Sequence, residues 1–333
     1  MTDYLWAFLI AFAVCVGLLF ALLPFLKRKK VGQEILIYVT EHDAKKGTPT
    51  MGGIAFVIAI ALSALMFTKG KSQLVNVTLA VMVAYGATGF LDDFLKVYKK
   101  RNLGLRAYQK ILLQLSIAVI MAFFVKNNVI VGDSIFIPFS NGLTVSFGWL
   151  IIPFVIFIFL AVTNGVNLTD GLDGLASSVT LCYMLGMVAL LLVEKERLVL
   201  LGDTILSTEC EQLIFVCVAS IGGLLAFLLF NCFPAKIFMG DTGSLALGGV
   251  VACVSILPKL GLYIPILGIV YVVSCLSVVL QVGYFKVTKG KRLFLMAPYH
   301  HHLQKKGLSE TRIACVYCVV TIVACVLLLV FGG

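Results

Sequence analysis

Ten separate apolar runs, each long enough or nearly long enough to cross a bilayer as a helix, constrain this chain more than any other feature. A crossing helix needs about 20 apolar residues, somewhat fewer where one end opens into a wet cavity. The runs lie near Tyr4–Leu26, Gly53–Phe67, Leu74–Leu95, Ala107–Val125, Val145–Val162, Leu175–Val193, Leu213–Phe230, Leu245–Leu257, Tyr263–Phe285 and Ile313–Phe331. The second and eighth are short and bordered by Gly and polar residues, the form taken by segments that line a cavity. Of the 333 residues 61% are hydrophobic and 13% charged, more apolar surface than a soluble domain of this size buries. The expected fold is an all-α integral membrane protein with about ten transmembrane helices. It forms one domain over residues 1–333, with no internal repeat or low-complexity tract.

Ten crossings put both termini on one side, and the basic residues decide which. All but six of the 26 Lys and Arg fall in or beside the loops after segments one, three, five, seven and nine, among them Lys27–Lys30, Lys96–Arg101 and Lys286–Arg292. Those loops are expected in the cytoplasm and both termini outside it. The formal charge of +10 is mostly this topological signal, so no nucleic-acid partner is implied. The first segment carries Asp3, has no Lys or Arg ahead of it and precedes no small-x-small cleavage pattern, so it reads as a retained helix. Nearly all of the ten Cys sit in or beside apolar runs, where Cys serves as a small buried hydrophobe. Cys315 and Cys318 form a CxxC inside the last run without a second pair or a nearby His, and no disulfide or metal role is expected for them. Between segments four and five, Ser134–Phe139 and Leu143–Phe147 flank Asn141-Gly142 as the strands of a small extracytoplasmic β-hairpin would.

An ionised Asp at the centre of a membrane helix costs roughly 2.5 to 3.5 kcal/mol, so each needs a partner, water or a task. Asp92 and Asp93 end the third run, Asp170 and Asp173 open the sixth, and Asp241 precedes the eighth; the charge distribution puts all five on the cytoplasmic side. Asp92 and Lys96 suit an ordinary i,i+4 pair. The stretch Asn164–Ala176 holds more acid than one solvated helix cap needs, and Gly171 and Gly174 let other groups approach. Asn231–Gly249 repeats the grammar: a Pro-broken helix end, then Gly240-Asp241-Thr242-Gly243-Ser244 opening a helix whose free N–H groups suit a phosphate. Clustered carboxylates beside Lys and glycine-flanked helix starts suit a divalent metal with a polyphosphate. Ala297–Gly307 carries three consecutive His, which cannot all face one point, so a zinc site made of them alone is not expected. With Lys286–Arg292 and Lys305–Lys306 nearby, it either meets negative charge or is a plain solvated basic loop. Lys45–Gly53 is a basic, hydroxyl-bearing turn before a helix, more often a cap than a ligand site. These segments are polar on the same side and converge if the helices bundle.

The motifs TPTMGG (Thr48–Gly53), LDDFLK (Leu91–Lys96), NLTDGLDGLA (Asn167–Ala176), FMGDTGSLALG (Phe238–Gly248) and MAPYHHH (Met296–His302) resemble those of the phospho-N-acetylmuramoyl-pentapeptide-transferase family, within the polyprenyl-phosphate N-acetylhexosamine-1-phosphate transferase superfamily. The resemblance spans nearly the whole chain. It implies a bacterial cell-membrane enzyme, usually a homodimer, with a cytoplasmic cleft holding Mg²⁺. The implied reaction takes UDP-N-acetylmuramoyl-pentapeptide and undecaprenyl phosphate to lipid I and UMP. By motif position, Asp241 would coordinate Mg²⁺, and Asp92 and Asp93 would serve the lipid phosphate or its deprotonation. Lys45, Asn167, Asp170, Asp173, Asn231 and Phe238 would hold the nucleotide, Phe238 as a surface for uracil. Lys96, Lys110, His300 and His301 would meet phosphates, with His300 among the catalytic set and Thr50 and Ser244 among the substrate-binding one.

Two mechanisms fit these residues: direct attack by the lipid phosphate on the β-phosphorus, and a covalent carboxylate intermediate. Direct attack is preferred, because a phosphate monoester is already anionic near neutral pH and needs alignment and charge neutralisation more than a protein nucleophile. A secondary transporter would also place acids and broken helices in the membrane. A transport path, however, needs polar groups through the full depth, whereas these acids crowd one face.

Overall fold

The computed structural model describes residues 2–28, 47–99, 104–140 and 142–331; Lys45, His42 and Asn141 lie outside the described residues. The elements are α1 (Thr2–Arg28), α2 (Gly53–Thr68), α3 (Gln73–Tyr98), α4 (Ala107–Asn127), β1 (Ser134–Phe136), β2 (Thr144–Ser146), α5 (Ile151–Thr169), α6 (Leu175–Leu200), α7 (Thr204–Asn231), α8 (Gly240–Ile256), α9 (Ile264–Leu267), α10 (Ile269–Val287), α11 (Tyr299–Lys305) and α12 (Glu310–Phe331). Among the described residues, eight helices are long and apolar enough to cross a membrane, and α2 and α8 are shorter apolar helices. These ten correspond to the ten runs in the sequence, including the two short ones.

Several boundaries differ from the sequence expectation for identifiable reasons. The fifth run was expected from Val145, but Val145 pairs with Ile135 in the antiparallel β1–β2 hairpin, and the helix begins at Ile151. Both parts are apolar, so hydropathy alone merges them. The seventh helix starts at Thr204, nine residues before its apolar run, because the Asp203 side chain accepts from the Leu206 N–H and caps it. The ninth run is broken at Gly268: α9 ends at Leu267, and α10 begins at Ile269. Asp241 lies within the first turn of α8, not ahead of it.

The core is organised around α8, which is buried from Thr242 to Ile256. Packing in lipid gains little from apolar transfer, so helices associate through small residues and interhelical hydrogen bonds. Both devices are present. A Cβ at Gly248 would lie 2.5 Å from the Thr163 Cα of α5. Tyr183 of α6 bonds Ser255 of α8 at 2.7 Å, and Thr169 of α5 bonds Ser274 of α10 at 2.9 Å. At the opposite end from the acids, Glu209 of α7 accepts from Ser72 Oγ and from the N–H groups of Gln73 and Leu74, capping α3 from another helix.

Candidate active site

Two helices deliver three acids to one point. Asp92 and Asp93 come from the last turns of α3 and Asp241 from the first turn of α8; each offers an oxygen within 4.8 Å of the others. The approach of α3 to α8 is set by glycine: a Cβ at Gly89 would lie 2.0 Å from the carbonyl oxygen of Asp241. On Asp241, Oδ2 accepts from Lys96 Nζ at 2.8 Å and from Lys110 Nζ of α4 at 3.0 Å. Its Oδ1 accepts from Asn167 Nδ2 of α5 at 2.7 Å. Asn167 Nδ2 also donates to Ser244 Oγ, and its Oδ1 accepts from Lys110. Asp92 pairs with Lys96 at 2.6 Å and accepts from the Leu105 N–H at the approach to α4. Four helices thus meet on Asp241, and six of the expected residues (Asp92, Asp93, Lys96, Lys110, Asn167 and Ser244) lie in direct contact with it or with one another.

The donor set fits a hard divalent cation. It is all oxygen, held by carboxylates that are buried or nearly so, with three acids facing two lysines. Asp170, in the turn after α5, has its carboxyl pushed well above the ordinary range by loss of water and by repulsion from Asp241, Asp93 and Asp173. That surplus of negative charge is what a bound cation relieves.

The remaining expected residues are spread around this cluster. Thr50 is buried beside Gly240, whose added Cβ would meet Thr50 Oγ1 at 2.8 Å. Asn231 is used by the protein at both ends: Oδ1 accepts from Ser177, and Nδ2 donates to the Ile237 carbonyl. The Asp173 carboxylate accepts from the Ala235 N–H, and its own N–H donates to Glu310 of α12. Both residues therefore shape the 232–239 loop that carries Phe238. Phe238 is half-buried, with its N–H on the Pro49 carbonyl and its carbonyl accepting from Gly52. The first-loop motif thus docks as backbone on the loop before α8. An added Cβ at Gly53 would stand 2.3 Å from the Gly243 Cα, and Gly52 at the N-cap of α2 receives no side-chain cap, so the turn is a close backbone approach rather than the cap the sequence favoured.

The three His diverge as their consecutive spacing requires. His300 is fully buried, with Nε2 facing Gly171 in the turn between α5 and α6, and neither ring nitrogen has a partner among the described residues. Burial, then the neighbouring His301, pulls its pKa down to about 3. His301 shares a contact with Gln304, and His302 Nδ1 accepts from the Leu295 N–H.

Residues 75–259 match the model of glycosyl transferase family 4, and residues 45–57 match phospho-N-acetylmuramoyl-pentapeptide-transferase signature 1. The phospho-N-acetylmuramoyl-pentapeptide-transferase of Clostridium kluyveri is 44% identical over 328 residues, 98% of each chain. Those of Clostridium perfringens and Caldanaerobacter subterraneus are 43% and 44% identical, over 96% of this chain and 95% and 96% of theirs. The chain belongs to the phospho-N-acetylmuramoyl-pentapeptide-transferase family.

Within this transferase fold, sequence reasoning passed over three contributors. Gln114 stands one turn after Lys110, and its Oε1 accepts from Asn164 at 2.6 Å, one turn before Asn167. The i+4 and i−3 spacings were available as a signal. Thr242 holds Asp93, and its place beside Asp241 was the only hint. Glu310 was unreadable, because its partner is 137 residues away.

Proposed function

We propose that this protein transfers phospho-N-acetylmuramoyl-pentapeptide from UDP-N-acetylmuramoyl-pentapeptide to undecaprenyl phosphate, giving lipid I and UMP, the first membrane step of peptidoglycan synthesis. The observation that supports it best is Asp241, held at the mouth of the bundle by Lys96, Lys110 and Asn167 and flanked by Asp92. The basic loops orient that mouth to the cytoplasm, where a nucleotide substrate resides, and put both termini outside.

In the reaction, an oxygen of the acceptor phosphate forms a bond to the β-phosphorus. The bond from that phosphorus to the oxygen bridging the α-phosphate breaks, and UMP leaves with that oxygen. Phosphoryl transfer of this kind asks for in-line alignment and neutralised charge. Asp241 and Asp92 would hold Mg²⁺, which would supply charge neutralisation on the diphosphate. Lys96, lodged between Asp92 and Asp241, and Lys110, between Asp241 and the Asn167 amide, turn to phosphate oxygens when substrate enters. Asn167 and Ser244 fix the Asp241 rotamer. Phe238 offers a half-exposed ring to the uracil, and the buried, neutral His300 and its neighbour His301 stand against Gly171, the residue after Asp170. Because the acceptor is an anion, the direct route needs no protein nucleophile.

The test is UMP release by the purified protein in lipid with UDP-N-acetylmuramoyl-pentapeptide, a polyprenyl phosphate and Mg²⁺. The expected result is lipid-dependent UMP, abolished by EDTA and by Asp241→Asn. Release from UDP-N-acetylglucosamine instead would move the protein to another branch of the superfamily, and no release from either by folded protein would sink the assignment.

A further inference from the structure

The two adjacent acids of α3 are chemically alike in sequence, yet their surroundings differ in kind. Both oxygens of Asp93 are taken by the beginning of α8: Oδ1 accepts from the Asp241 N–H at 3.1 Å, and Oδ2 accepts from the Thr242 N–H at 2.9 Å and from Thr242 Oγ1 at 2.7 Å. These are the second and third N–H groups of the helix, the ones an N-cap side chain normally satisfies. The local N-cap position of α8 is Met239, which makes no side-chain cap. Asp93, from another helix, supplies what Met239 lacks, and it does so 2% exposed. Asp92 has one oxygen on the Leu105 N–H and the other on Lys96, a side-chain cation that a metal or phosphate can displace.

We propose that Asp93 is a positioning residue that caps α8 in trans and thereby fixes the backbone of Asp241, and that metal and substrate are met by Asp241 and Asp92. Oδ2 cannot turn to a ligand without uncapping the helix, since it already accepts from both Thr242 donors, and Oδ1 accepts from the Asp241 N–H and stands 3.7 Å from Lys96 Nζ. Gly240, with φ +71, and the missing Cβ at that position are what admit the carboxylate: an added Cβ would lie 2.4 Å from Asp93 Oδ2. Thr242 is the second half of the device, since its hydroxyl and its N–H converge on one oxygen. This inference rests on the reaction and metal proposed above.

The roles separate experimentally because Asn keeps one acceptor oxygen for the two Thr242 donors, as a capping side chain does, while giving up the bond to the Asp241 N–H, and is no base and a poor metal ligand. The experiment uses the full chain in lipid nanodiscs and measures Mn²⁺ affinity by electron paramagnetic resonance without substrate, alongside kcat for UMP release. Asp93→Asn should keep Mn²⁺ affinity and kcat within about tenfold of wild type, while Asp93→Ala should weaken Mn²⁺ binding by about tenfold or more, as loss of a residue orienting a ligand does. Thr242→Val should shift Mn²⁺ affinity in the same direction as Asp93→Ala by less, and the double variant should be no worse than Asp93→Ala, because the two act through one contact. The proposal is overturned if Asp93→Asn is as inactive as Asp93→Ala while both bind Mn²⁺ normally, if Asp93→Ala and Thr242→Val are additive, or if wild type binds no Mn²⁺. Should Asp93→Ala fail to fold, the Thr242→Val shift and the Asp93→Asn turnover decide alone. The Mn²⁺ measurement needs no nucleotide, so failure of the proposed reaction would appear as normal metal data without UMP release.

Discussion

Gly89→Ala tests whether the close approach of α3 and α8 sets the position of Asp241. The added Cβ would stand 2.0 Å from the Asp241 carbonyl oxygen, 2.3 Å from its carbon and 2.5 Å from the Thr242 nitrogen. All three are backbone atoms at a helix start, so no side chain can swing aside. Reaching ordinary contact requires the two helices to part by about 1.5 Å at this point. Overpacking of this kind costs about 1–3 kcal/mol, and a displacement near 1 Å of a reacting group costs about 100-fold in rate. The control is Gly86→Ala, one turn along the same helix face, where the nearest atom to the added Cβ is that of Ala246 at 3.4 Å, a contact that fits. The assay is kcat for UMP release with thermal unfolding in the same detergent. Gly89→Ala should lose roughly two orders of magnitude in kcat with a modest fall in Tm, and Gly86→Ala should resemble wild type. If Gly89→Ala kept wild-type turnover, or if both substitutions were equally harmful, the argument that glycine at 89 places the catalytic carboxylate would be wrong.

Lys110→Met removes a cation from Asp241 and Asn167 and should lower kcat by about 100-fold or more, in a chain that still unfolds cooperatively; turnover within threefold of wild type would remove Lys110 from the site. Glu209→Ala strips the cap from the distant end of α3 and should lower stability by about 1–2 kcal/mol while leaving kcat unchanged, as read from thermal melts and UMP release. His300 has a folded pKa of about 3 against an ordinary value of 6.5. The unfolded chain therefore binds its proton first, and the stability tied to neutral His300 is present above pH 6.5 and lost as pH falls toward 3. His300→Gln should flatten that part of the Tm-against-pH curve; an unchanged slope would refute the buried, neutral assignment.

Much of the architecture was legible because lipid imposes it. The ten runs, the two short helices and the hairpin all followed from hydropathy and turn chemistry, and the acids that meet at Asp241 followed from charges that a membrane does not tolerate idly, while Lys110, Asn167 and Ser244 came only with the family resemblance. Boundaries were less legible where a second apolar element abuts a helix, as at Val145, or where a polar cap extends one, as at Asp203. The site resisted in a different way. Asp173 and Asn231 look like ligand groups in sequence but are consumed by backbone of the loop bearing Phe238, and no local pattern shows that a carboxylate's partner lies more than 60 residues away. TPTMGG read as a helix cap more than a ligand site, because hydroxyl-bearing turns before helices serve both purposes; its backbone pairing with Phe238 is not visible in the motif.

The difference between Asp92 and Asp93 shows what a sequence does hold when read at the right period. Gly86, Gly89 and Asp93 are spaced three and four apart, so they form one stripe on α3, while Asp92 is rotated off it by about 100°. A stripe of small residues on a membrane helix marks where another helix touches, and an acid at the end of that stripe must face whatever the glycines face. Here that is the start of α8, whose N–H groups await an acceptor. Asp92, rotated off the stripe, is left to Lys96 and the Leu105 N–H. The division of labour between two adjacent, identical side chains is therefore written in the two glycines that precede them.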